Sequence, residues 1–207
     1  SLINFGVTVL DKYQAIIFDM DGTLVDSGQL HEVAWTRTLE NYGIPVDRAF
    51  MRSLAGVPTK GTLDILLEHF NLQVTATSSE MNDYKEAVVR NIAKDYVKPT
   101  ALEEYARRYL GQKPMSVGTG AYTAEAESIL AWCGIRELIG PVVGADQVAN
   151  PKPSPDTFLL CAELMGVSPE NCVVLEDSKL GLEAAERAGM DGIDVLEAFS
   201  VRNDYFL

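Results

Sequence analysis

Residues 15 to 26 read AIIFDMDGTLVD, a run of large apolar side chains that stops at two carboxylates, Asp19 and Asp21. In an extended chain residues i and i+2 point to the same side, so this spacing crowds two negative charges. Like charge and desolvation both raise a carboxyl pKa, so the pair needs a cation between its members or a proton on one of them. The first arrangement makes a metal- or lysine-held nucleophile, the second a general acid. Gly22 allows a tight turn directly afterwards. A calcium loop of the EF-hand kind is excluded, because Leu30 stands where a loop begun at Asp19 needs its closing glutamate.

Three further pieces carry groups of the same kind. VGTG, 117 to 120, offers the Thr119 hydroxyl and the Gly120 N–H just past an apolar run. NPKPSPDTF, 150 to 158, places Lys152 before a helix announced by Ser154 and Pro155. VVLEDS, 173 to 178, ends a second apolar run at Glu176 and Asp177. Either acid alone could as well cap the following helix, and Lys152 alone could be a solvated loop lysine.

These pieces need elements that bring them together. From Pro114 onward, short valine- and isoleucine-rich runs alternate with helical patterns, the texture of a parallel sheet of βαβ units. The runs predict strands at Met115–Gly118, Pro141–Gly144, Val173–Glu176 and Gly192–Val195, joined by Ala15–Phe18. The fold class is therefore α/β, a doubly wound, Rossmann-like parallel sheet, in which ligands bind beyond the carboxyl ends of the strands. Between the first two strands lies a region of helical period. Trp35, Leu39 and Tyr42 repeat at helical spacing before Gly43 and Pro45; Leu63, Leu66, Leu67 and Phe70 follow suit; a third helix spans about Ser79 to Asp95, with Ser78 or Ser79 as its cap. We expect residues 1–26 and 97–207 to form the core and 27–96 an inserted helical cap domain. The last segment, EAFSVRNDYFL, either finishes the sheet edge or trails.

Composition narrows the partners. The chain has 207 residues, 47% hydrophobic and 23% charged, enough for a substantial core. Seventeen basic residues against thirty acidic give a net charge of −13, which repels nucleic acid and anionic membranes. Any anion site must then be built locally from a metal, a lysine and backbone N–H groups. Cys133, Cys161 and Cys172 are widely spaced among apolar neighbours and read as reduced thiols of a cytoplasmic protein. The opening SLINFGVTVL is too short and lacks the basic start of a leader. A monomer or weak homo-oligomer is expected.

The four pieces together resemble the haloacid dehalogenase superfamily of aspartate-based phosphotransferases. The resemblance implies that Asp19 is the nucleophile, Asp21 the general acid and base, Thr119 a phosphate hydrogen-bond donor and Lys152 the charge neutraliser. It implies Mg2+ as cofactor, held among Asp19, Asp21, Glu176 and Asp177. Dehalogenating members lack the acid at Asp21, so dehalogenation is set aside. A receiver domain also keeps an aspartate and a lysine at strand ends, but its uninterrupted fold does not match a large insertion.

DSGQLHEVAW and GVPTKGT are similar to the beta-phosphoglucomutase branch, which also holds small sugar-phosphate phosphatases. That likeness implies a substrate role for His31, for Gly120 and, on the cap, for Thr59 and Lys60; the alternative for His31 is a helix histidine stacked on Trp35. Where the mutase has an arginine on the cap this chain has Thr59, its cap lysine is matched by Glu80 with Lys85 further on, and Tyr122 and Thr123 replace a lysine and an asparagine. These losses argue against a diphosphate intermediate and for hydrolysis. MSVGTG and KPSPDTFLLCAELMGV resemble the fructose-1-phosphate and 6-phosphogluconate phosphatase type. The expected substrate is a small phosphorylated sugar; the alternatives are a phosphosugar mutase and a non-catalytic phosphate-sensing or partner-binding protein.

Overall fold

The computed structural model describes residues 9–55 and 57–207; Gly56 and the first eight residues lie outside it. Five strands form one parallel sheet: β1 (Ala15–Phe18), β4 (Met115–Gly118), β5 (Val142–Val143), β6 (Cys172–Glu176) and β7 (Asp191–Asp194), in the order β5-β4-β1-β6-β7. Strand β1 is central, with Ile17 beside Ser116 on one side and Val174 on the other.

Strand β1, and β6 as far as Leu175, read as unbroken apolar runs because both faces are covered. Ile16, Phe18, Val173 and Leu175 point into one core with Tyr105, Ala106, Ile129 and Leu130, from α5 (Glu103–Tyr109) and α6 (Thr123–Trp132). Ala15, Ile17, Cys172 and Val174 point into the other with Phe158, Cys161, Ala184 and Ala185, from α7 (Asp156–Met165) and α8 (Lys179–Arg187). This is the doubly wound α/β architecture that the alternation predicts. Strand β5 is shorter than expected, and β7 begins and ends one residue early. Helix α9 (Val195–Phe199) follows β7.

The chain divides into two compact units, residues 1–26 with 97–203, and residues 27–96 with 204–207. At the division a small antiparallel ribbon pairs β2 (Val25–Asp26) with β3 (Lys98–Pro99). The second unit contains α1 (Gly28–Asn41), α2 (Arg48–Ser53), α3 (Thr59–His69) and α4 (Ser78–Tyr96) around Trp35, Leu39, Met51, Leu63, Leu66 and Met81. Gly43, at φ +68°, takes up the left-handed turn after α1, as its position suggested. The cap of α4 is neither Ser78 nor Ser79. The Thr77 hydroxyl accepts from Glu80 N at 3.1 Å and the Glu80 carboxylate from Thr77 N at 2.9 Å, a reciprocal box that satisfies two otherwise orphaned donors.

The last residues neither extend the sheet nor trail. Phe206 is fully buried in the helical unit's core. Its N–H donates to Glu32 at 3.1 Å, and Arg52 and Arg48 donate to the carbonyls of Phe206 and Leu207 at 2.9 and 2.8 Å. Residues 204–207, expected with the core, therefore group with the helices, because burial of an aromatic side chain outweighs chain proximity. Cys161 and Cys172 are buried and Cys133 partly so, and all three are free thiols.

Candidate active site

The site lies at the carboxyl ends of β4, β1 and β6. Strand β1 ends at Phe18, and the chain turns at once, with Leu24 N and Val25 N donating back to Met20 O. The extended geometry expected for the aspartate pair is thus broken at its start. Asp19 is 7% exposed and Met20 2%, whereas Asp21 is exposed. The negative charge that presses on Asp19 is that of Asp177. Gly22 sits at φ +80°, and a Cβ there would overlap the Asp177 carboxylate.

Lys152 joins two strand ends. Its Nζ donates to Asp19 Oδ1 at 2.8 Å, to Glu176 Oε2 at 2.9 Å and to the Gly118 carbonyl at 3.3 Å, and lies 4.8 Å from the Phe158 ring centre. Burial alone would lower the lysine pKa, but Asp19 and Glu176 outweigh it and hold it above its ordinary value. Glu176 is 1% exposed, and its other oxygen accepts from Asp177 N at 3.0 Å and from Ser178 N and Oγ, each at 3.2 Å. With both oxygens so engaged, Glu176 anchors the lysine and the turn more than it offers a free ligand atom.

Asp19, Glu176 and Asp177 each place a carboxylate oxygen within 4.8 Å of the others. Asp21, named with them from the sequence, is outside that group. Three carboxylates face one lysine, and the surplus negative charge shows in their acidity. Burial, then Asp177 against the opposing Lys152, pushes Asp19 up to about 6. Asp177, although the residue as a whole is exposed, is likewise pushed up to about 6, by burial and by Glu176 and Asp21, against a hydrogen bond with Asp19 that lowers it. Burial and the Asp19 charge raise Glu176 as well. An oxygen-only cluster with two unneutralised charges fits a hard divalent cation such as magnesium.

The sequence reading passed over three contributors. Thr23, fully buried, lies 3.2 Å through its hydroxyl from Asp19 Oδ2 and 3.3 Å from Asp177 Oδ1. Thr100 donates to the Thr23 carbonyl at 2.5 Å, fixing that turn. Gly181 packs so tightly on Glu176 that a Cβ would overlap its carboxylate. Thr23 was visible inside the motif, but its partner is 154 positions away.

Of the remaining predicted residues, Thr119 is buried beside the site at the end of β4 and accepts from Ala121 N at 3.2 Å; Gly120 next to it is exposed, with open space where a side chain would be. His31, Thr59 and Lys60 belong to the helical unit. His31 does not stack on Trp35; its ring packs against Tyr205 at 5.6 Å. Thr59 opens α3, and Lys60 beside it is exposed. Glu80 serves the α4 cap, while Lys85, 5% exposed, lies 4.8 Å over the Trp35 ring and 3.4 Å from the Thr59 hydroxyl.

Residues 13–189 match the haloacid dehalogenase-like hydrolases, and the chain belongs to that family. It is 42% identical over 187 residues to fructose-1-phosphate phosphatase YqaB of Escherichia coli, covering 89% of this chain and 97% of that one. A phosphorylated carbohydrates phosphatase of Thermotoga maritima is 32% identical, with 87% and 83% covered. Among solved structures, CbbY of Rhodobacter sphaeroides in complex with phosphate superposes with a TM-score of 0.68 at 28% identity, over 88% of this chain and 85% of that one.

Proposed function

We propose that this phosphatase hydrolyses a small phosphorylated sugar, of the fructose-1-phosphate kind, with magnesium and through an aspartyl-phosphate formed on Asp19. The observation that carries the proposal is the buried Asp19 carboxylate, pinned through one oxygen by Lys152 and set beside Asp177. Identity of 42% to a fructose-1-phosphate phosphatase supports the substrate class.

Asp19 attacks phosphorus, forming an O–P bond as the bond to the sugar oxygen breaks. Asp21, exposed two residues on, gives its proton to the departing oxygen and then takes one from the water that cleaves the acyl phosphate. Lys152 keeps Asp19 ionised against the cost of its burial. The Thr119 hydroxyl, already accepting from Ala121 N, can donate its proton to a phosphate oxygen, and so can the Gly120 N–H. Asp19 and Asp177 would hold the magnesium ion, with Glu176 behind them; bound there it supplies charge compensation for the phosphoryl oxygens. His31, Thr59 and Lys60 are the proposed contacts to the sugar from a helical cap. No helix among the described residues is long and apolar enough to cross a membrane.

Phosphate release from a panel of phosphorylated sugars, with magnesium and with a chelator, tests the proposal. We expect release from at least one ketose or aldose phosphate with magnesium and none from Asp19→Asn; no release from any sugar would overturn it. One observation keeps a phosphosugar mutase as a second reading: the buried Lys85 leaves a cation beside Thr59 in the helical unit. A mutase would interconvert glucose 1- and 6-phosphates without net phosphate loss.

A further inference from the structure

The family match ends at residue 189, yet residues 204–207 belong to the helical unit and are tied to it by side-chain hydrogen bonds and ring contacts. Phe206 fills that unit's core, its backbone N–H and carbonyl are both taken by side chains, and Arg48 lies 5.6 Å from its ring while pairing with Glu32. A segment held so firmly fixes the residue before it. That residue is Tyr205, whose ring meets the His31 imidazole at 5.6 Å with the planes tilted by 46°. Glu32, which accepts from Phe206 N, is the chain neighbour of His31 on α1. The strap thus grips α1 at two successive positions, once through the backbone and once through an aromatic ring.

Resting on the reading of His31 as a sugar contact, we infer that Tyr205 is a specificity-determining positioning residue, which braces the His31 imidazole for a phosphorylated sugar while Phe206 anchors the brace. An aromatic contact on one face limits how the imidazole can turn, so its loss is felt in binding of a polyhydroxylated substrate rather than in the phosphoryl step. The chemistry at Asp19 and Lys152 lies in the other unit and keeps its own contacts.

The experiment compares wild type, Tyr205→Ala and Tyr205→Phe on the preferred sugar phosphate and on p-nitrophenyl phosphate, which has no sugar hydroxyls. Tyr205→Ala is expected to raise KM for the sugar phosphate about threefold to tenfold with little change in kcat, as loss of one aromatic pair implies. Tyr205→Phe should restore it, and KM for p-nitrophenyl phosphate should stay unchanged. Equal effects on both substrates, or none on either, would overturn the inference. A second measurement needs no activity. The chain has two histidines, so the imidazole NMR signals of His31 can be followed with His69, which stacks on Phe50 at 3.9 Å, as internal reference. Tyr205→Ala should move the His31 signals and leave those of His69; unmoved His31 signals overturn the bracing even if the sugar-phosphate reading stands. Absence of sugar-phosphate hydrolysis in the wild type, with His31 signals that do move, would instead overturn the functional reading and the specificity role while the contact survived.

Discussion

The sheet unit and the helical unit hold their candidate residues by different means. In the first, every acid of the cluster is tied to a partner: Lys152 bonds Asp19 and Glu176, Thr23 reaches both Asp19 and Asp177, and Gly22 and Gly181 leave no room for a side chain. In the second, the order comes from an apolar core, and Lys60 projects from a helix start while His31 is placed by an aromatic neighbour. Charges buried together must be positioned almost without freedom or they destabilise the fold, whereas a sugar contact can be carried on a surface that tolerates change. Under the proposed function, the contrast separates a fixed chemistry in one unit from an adjustable recognition in the other.

Substitutions sort along this contrast. The largest effect is expected from Asp19→Asn, which should lower phosphate release on the order of 10⁴-fold while circular dichroism stays native. A variant that keeps most of its activity would remove the nucleophile from the sheet unit. Next, Lys152→Met leaves Asp19 and Glu176 buried without their cation and should cost about 3–5 kcal/mol in urea unfolding. Phe206→Ala should cost the helical unit a comparable amount, about 3–5 kcal/mol, through a cavity rather than a charge. Its loss should therefore be insensitive to pH, unlike that at the acid cluster.

The pH dependence has a definite sign. Asp19 and Asp177 bind protons more tightly when folded, near pH 6, than at their ordinary value of 3.8. Their contribution is thus fully present below about pH 4 and is lost as pH rises through 6. Magnesium, if it occupies this cluster, offsets that loss, so it should raise the melting temperature of chelator-treated protein more at pH 7.5 than at pH 5. An equal rise at both would place the ion elsewhere. The smallest effect belongs to Lys60→Ala, which should change stability by no more than about 0.5 kcal/mol. A raised KM for the sugar phosphate at unchanged kcat would sharpen its assignment to recognition.

Much of the sheet unit was legible in the sequence. Ala15–Phe18 forms as read, because an unbroken apolar run ended by Asp has few other ways to be buried, and Met115–Gly118 forms as read although it buries Ser116. Three of the motifs were legible because they end strands that must converge on a parallel sheet, and the fourth, which lies between β5 and α7, because Ser154 and Pro155 announce a helix start. What escaped depends on distance or brevity. The β2–β3 ribbon has two residues a side, too few for any period, and α2 is a helix of six residues. Thr77 was missed as a cap because two serines beside it looked equally suitable; the deciding signal was Glu80 three positions on. The unequal burial of Asp19 and Asp21 escaped because the strand pleat, from which the pair was read, stops at Phe18. The strap at 204–207 was out of reach, since Tyr205 and Phe206 find their partners more than 150 positions back.

The borders of the five-stranded sheet have a practical consequence. On one side β5 offers two residues, and on the other β7 reads DGID, with a carboxylate at each end. A stranger's backbone seeking to add itself finds too short a rail at one border and a charged one at the other. Concentrated solutions of this protein should accordingly resist fibril growth by lateral accretion onto the folded sheet.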